Sequence, residues 1–268
     1  MVEGESDRIF LVTSCKIGRF YQSRLRSRVA QIALARIYVN DETKARHPHK
    51  GSVMYVPPHF SEARSEHLYD LIEQNALGVL ITNGRDGLDA NHIPFHLDRS
   101  RGEHGILACH VARANSVWQD VSTGDEVLVV FRAADAYVSP NWYPSKHEHH
   151  RQVPTWNYLV AHAYGRITVH DEERFVRRNV ALLTRTHEAS QPNPWKMGDA
   201  PREFTDTMLK AIVGLEIEIT RLVGKAKLSQ NKEVRDIRTA GETLLAHGPN
   251  VIGTAMCTAA DVKEQEEL

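Results

Sequence analysis

Leu215-Glu216-Ile217-Glu218-Ile219-Thr220-Arg221-Leu222-Val223 opens with a clean alternation of side chains. Leu215, Ile217 and Ile219 fall on one side, and Glu216, Glu218 and Thr220 on the other. A period of two is the signature of a half-buried antiparallel strand. Further strands flank it. Gly78–Thr82 reads as a short buried strand, and Leu88–Leu97 as its return, with Pro94 marking an edge or a bulge. Between them stand Asn83-Gly84 and Asp86-Gly87, turn dipeptides of the hairpin kind. Ile106–Val111, Val127–Phe131 and the long Thr155–His170, with Gly165 at a bulge, complete the set. Helices are expected at Ser61–Gln74 with Ser61 as cap, at Asn115–Val121, Glu172–Glu188, Arg202–Ile212 and Asn231–Leu245. The last twenty residues carry no signal. Six or more strands, tight turns and no βαβ alternation describe a mainly β, α+β chain: an antiparallel barrel with attached helices.

At 268 residues, the chain can hold one large domain or two small ones. Its 41% hydrophobic and 25% charged residues are those of a soluble globular protein. A net charge of -1 speaks against a globally basic nucleic-acid binder. No apolar run approaches the roughly 20 residues of a membrane span. Cys15, Cys109 and Cys257 lack paired spacing and read as reduced thiols of a cytosolic protein. The first 53 residues hold ten Lys and Arg against five Asp and Glu, while the remaining 215 hold 23 against 29. Residues 1–53 are therefore expected to be an extension, disordered or upstream of the true start. Residues 54–245 form the expected domain, and 246–268 a C-terminal tail.

Two Trp, three Tyr and three Pro fall within the 22 residues from Tyr137 to Tyr158. They serve either as loop packing over a barrel edge or as a wall for a planar ligand. In His110-Val111-Ala112-Arg113-Ala114-Asn115 a strand gives way to a helix start, which suits an anion. The alternative is a capped helix with a surface arginine. In Lys225-Ala226-Lys227-Leu228-Ser229-Gln230-Asn231, two lysines on one strand face precede a polar run that suits a phosphate or a heterocycle edge. The alternative there is a basic strand end leading into a helix. His92 and His96 share a strand face without a completing Cys or carboxylate, so no metal site is assigned. No G-x-S-x-G marks a hydrolase.

Seven motifs in order resemble the PaiB family of FMN-binding split-barrel proteins, described as negative transcriptional regulators. They are Met54–Phe60, Gly87–Phe95, His110–Asn115, Ala136–Lys146, Val153–Tyr158, Leu183–Glu188 and Lys227–Asn231. The resemblance implies a six-stranded split barrel of the flavin-reductase type that pairs as a homodimer, with FMN at the interface. It implies that Arg113 and Asn115 hold the phosphate, with Lys225 or Lys227 from the same or the partner subunit. Trp142, Tyr143, Trp156 and Tyr158 would wall the isoalloxazine, and His92 and His110 would bond near its polar edge. Lys146 and Gln230 complete the expected set. Ser116, Asn141, Ala226 and Lys232 depart from the family pattern, which has Pro, Ser, an aromatic and Arg there. Two functions follow: a regulator whose flavin state biases a DNA or protein contact, or a flavin-dependent oxidoreductase. The expected location is cytoplasmic, or nuclear for a eukaryotic regulator.

Overall fold

The computed structural model describes residues 54–268. The extension expected at 1–53, and Cys15 within it, lie outside the described residues. Eight strands occur among the described residues: β1 (Ser61–Glu62), β2 (Leu77–Gly84), β3 (Gly87–Pro94), β4 (His96–Asp98), β5 (Ile106–Ala112), β6 (Glu126–Val138), β7 (Thr155–His170) and β8 (Ile212–Lys227). The helices are α1 (Ser65–Gln74), α2 (Val117–Asp120), α3 (Pro144–His149), α4 (Glu173–Glu188), α5 (Arg202–Lys210), α6 (Val234–Ala246) and α7 (Val251–Glu266).

All strand pairs are antiparallel, in the order β3-β2-β6-β7-β8-β5-β4, with β1 added beside β8. The two ends of this order, β3 and β4, are consecutive in the chain and separated only by Phe95. Residues 87–98 are thus one strand broken in the middle. Its first half pairs with β2 and its second with β5. Counted as one pass, and with the two-residue β1 set aside, it leaves the six strands that the family resemblance implied, with the break at Phe95. Pro94 has no N–H for a ladder, and the next N–H, that of Phe95, turns to the Ala76 carbonyl at 2.8 Å. The Phe95 ring goes inward, edge-on to Phe131.

The hairpin β2–β3 closes on the pair Gly84↔Gly87, which leaves Arg85-Asp86 as its two-residue loop. Gly87 has φ +101°, a region that L side chains avoid. The β7–β8 register slips at Gly165, with the extra residue, Thr220, on β8. A Cβ on Gly165 would stand 2.4 Å from the Glu218 carbonyl oxygen. Leu215, Ile217 and Ile219 fill the interior with Leu80, Leu107, Val129, Phe131 and Leu159, all essentially excluded from water. Burying each such side chain is worth about 1.5–3 kcal/mol.

Four expected helices shift at an end: that expected at Asn231–Leu245 is Val234–Ala246, and that expected at Arg202–Ile212 stops at Lys210 because Ile212 opens β8. The helix expected at Ser61–Gln74 begins at Ser65 and has no side-chain cap. Ser61 pairs instead with Lys225 in β1, and buried Glu62 accepts from the Arg64 Nε at 2.8 Å. The short helix after β5 starts at Val117 rather than Asn115.

By contacts the described residues form two compact units. One is the barrel with its helices, residues 54–138 and 154–231; the other comprises Ser139–Val153 and Lys232–Leu268. The second unit is helical. Buried Asp236 of α6 accepts from the Ser145 N–H at 3.0 Å and from its hydroxyl at 2.5 Å, fixing the start of α3. Where a tail was expected, α7 packs Ile252, Ala255, Met256, Ala259 and Ala260 inward, and Asn250 caps it.

Candidate functional site

Three neighbouring strands end together at one rim of the barrel. The β6–β7 register sets Tyr137 beside Trp156. The β7–β8 register sets Tyr158 beside Lys227 and Val160 beside Lys225. Side chains two apart on a strand share a face, so Trp156, Tyr158, Lys225 and Lys227 come together on one side of the sheet. Trp156 is 55% exposed, and its ring meets that of Tyr137 edge-on at 5.9 Å. Lys225 donates to the Tyr55 carbonyl at 3.0 Å. Its ammonium stands 5.6 Å from the Tyr55 ring centre and 5.4 Å from that of Tyr158, within reach of a cation–π attraction. Lys227 donates to the Trp156 carbonyl at 2.5 Å and to the Thr155 hydroxyl. These neutral oxygens orient the ammonium groups. Gln230 folds back on this strand end: its amide donates to the Ala226 carbonyl and its oxygen accepts from the Leu228 N–H, each at 2.7 Å.

The same outer face continues along the barrel. Val79, Val130, His162 and Val223 are successive cross-strand neighbours from β2 to β8, with Ile81 and Leu128 alongside. All are only half-buried. Among the described residues His162 Nδ1 has no hydrogen-bond partner, and burial pushes the pKa of the ring down.

Of the remaining expected residues, His92 continues this outer face beside Val79, and the others are placed as follows. Arg113 gives Nε to the Lys210 carbonyl at 2.8 Å and both terminal nitrogens to Asp171. That contact holds the Asp171 carboxyl below its usual range. A phosphate at Arg113 would meet this carboxylate. Asn115 accepts from the Val117 N–H at 3.0 Å and donates to Asn91 at 2.7 Å, while the N-cap position of the helix is Ser116, without a side-chain cap. His110 lies under α4, its Nδ1 3.2 Å from the Asn179 amide nitrogen. Burial lowers its pKa. His92 is exposed on β3, opposite Val79, so the two histidines are not brought together. Trp142, Tyr143 and Lys146 belong to the helical unit. Tyr143 is fully buried, with the Lys232 ammonium 5.8 Å from its ring centre. Trp142 neighbours His247 at 6.2 Å, and Lys146 is half-buried on α3. The proposed aromatic wall therefore divides between the two units.

Sequence reasoning did not select Tyr55, Tyr137, Asn157 or Ser229 for the site. Tyr137 could have been found, since it lies in the aromatic-rich stretch; Tyr55, Asn157 and Ser229 are placed by contacts between residues distant in sequence.

A flavin needs flat apolar contact and a cation for its phosphate, and the rim supplies both. By contrast, the cavity under α4 lined by His96, Ala108, Phe175 and Asn179 holds about 30 Å³, room for a water but not for a ligand of that size.

The family model described as "Putative FMN-binding domain" matches residues 54–221. The chain is 27% identical over 191 residues to the Bacillus subtilis protein named protease synthase and sporulation protein PAI 2, covering 71% of this chain and 89% of that one. It is 31% identical over 260 residues to an uncharacterized protein of Aspergillus fumigatus, covering 80% of this chain and 98% of the other. A solved structure, the FAD and heme binding protein from Mycobacterium smegmatis, superposes with a TM-score of 0.46 at 17% identity, over 62% of this chain and 73% of its own.

Proposed function

Since the chain belongs to the FMN-binding domain family, whose cofactor is FMN, we propose that it holds this flavin on the barrel face of Trp156, Tyr158, Lys225 and Lys227. The observation that carries the proposal is the β7–β8 register, which sets two oriented ammonium groups beside two aromatic side chains. Lys225 and Lys227 would take the phosphate through charge-assisted hydrogen bonds, worth about 1.5–3 kcal/mol each. Trp156 and Tyr158 would lie against the ring system. Bound flavin supplies redox chemistry that the side chains lack; the chain's own part is to bind, orient and shield it.

One barrel rim leaves one side of a flavin in water. We propose that a second copy of the chain covers it, docking on the half-buried valine and isoleucine face that continues from the rim. A contiguous apolar face on a barrel is what such an interface needs. The finer role, a negative regulator of transcription, rests on the resemblance to the PaiB family alone. The alternative is a flavin-dependent oxidoreductase.

Purified protein should show a flavin absorbance spectrum, either as isolated or after FMN is added and the excess removed. A spectrum without flavin after that treatment would refute the assignment. Mixing the loaded protein with a reduced nicotinamide separates the two roles. Steady nicotinamide oxidation would favour the oxidoreductase, and none would favour the regulator.

A further inference from the structure

Ser229 is buried, yet its backbone has φ +67°, in the left-handed region that favours glycine. Among the described residues only one other non-glycine residue has a positive φ, His150 at a helix end. Strained backbone of this kind persists only where its surroundings enforce it. One contact that holds it comes from β7. Asn157, fully buried, donates its amide to the Ser229 hydroxyl at 2.9 Å, across 72 residues of chain. Asn157 stands between Trp156 and Tyr158, and alternation on a strand turns it to the opposite side. One three-residue stretch thus shows two aromatic side chains outward and grips the end of β8 from inside. Leu228, 1% exposed, anchors the turn, and the Gln230 side chain closes it on Ala226 and Leu228.

We infer that the Asn157–Ser229 pair is a positioning device for FMN, acting through Lys227. The inference rests on the flavin site proposed above. Glycine would take this φ without strain, but it offers no hydroxyl to the Asn157 amide. With the pair in place, the strand cannot slide or fray past Lys227, and the ammonium stays beside Tyr158. Without it the end of β8 is released to shift, carrying Lys227 away from the Thr155 and Trp156 oxygens that orient its ammonium, and the phosphate loses a pre-placed partner.

Ser229→Gly separates this role from a merely structural one, because it removes the strain together with the grip. The experiment is an FMN titration followed by flavin fluorescence, with melting temperatures measured on the same samples. We expect S229G to melt close to wild type and to bind FMN about tenfold more weakly, the scale of one lost charge-assisted contact. In a Lys227→Ala background the same substitution should add little, since both changes disable one contact. Unchanged affinity in S229G, or full additivity with K227A, would overturn the inference while leaving the flavin site intact. Asn157→Ser gives a second reading and should weaken FMN in the same direction; an N157S protein that binds like wild type counts against the pair. A wild-type chain with no affinity for FMN would overturn the site itself, and the inference with it.

Discussion

The histidines of this chain are placed more tellingly than their number suggests. Burial is the leading cause of a lowered pKa for His67, His96, His110 and His162. A base whose folded pKa lies below its unfolded value is protonated first in the unfolded chain. The unfolded state then binds more protons, and stability rises with pH across that window. We therefore expect stability to fall as pH drops below about 6.5, the unfolded histidine value, well above the range where paired carboxylates such as Asp171 titrate. Denaturant midpoints at pH 8, 6.5 and 5 measure this. His110→Gln should flatten the profile between pH 6.5 and 5, and an unaltered slope would show that His110 does not titrate on unfolding. At this scale the sequence was half legible. Lys225 and Lys227 could be put on one face from their spacing, while Trp156 and Tyr158 entered through the family resemblance. That Arg113 is held by Asp171 could not, because its partner lies 58 residues away and only the folded barrel brings them together.

Elements were legible where the period was strong. Thr155–His170 has the boundaries expected of it, and Pro94 does interrupt its strand. Ser61 misled because a capping residue beside an apolar run is a local signal, whereas pairing with Lys225 is not. The helix α7 was missed because its inward positions are mostly Ala and Gly, which give little apolar contrast although Ile252, Met256 and Ala260 keep helical spacing. Gly165 tests the strand geometry. Substitution by Val places side-chain atoms on the Glu218 carbonyl and the Ile217 side chain, contacts that an ideal Cβ already makes at 2.4 and 2.6 Å. Overpacking of this kind costs about 1–3 kcal/mol. A lower denaturation midpoint with an unchanged slope is the expected result; no loss of stability would mean the slip at Thr220 relaxes freely.

For the molecule as a whole, among the described residues no helix is long and apolar enough to cross a membrane. The barrel's outer face of Val79, Ile81, Leu128, Val130 and Val223 is where we expect a second copy to dock. Val130→Asp places a charge in the middle of that face, and burying it unpaired would be costly. Sedimentation should show wild type as a dimer and V130D as a monomer with weakened FMN affinity; a V130D dimer would put the interface elsewhere. The central claim is that the rim of β7 and β8 carries the cofactor. Its most direct test is an FMN titration of Lys225→Ala/Lys227→Ala beside wild type and Arg113→Ala. We expect the double lysine variant to lose at least about a hundredfold in affinity, two charge-assisted contacts' worth, and Arg113→Ala to stay near wild type. Equal affinity of the double lysine variant and wild type, with Arg113→Ala the weak binder, would contradict it and return the phosphate to the helix start after β5.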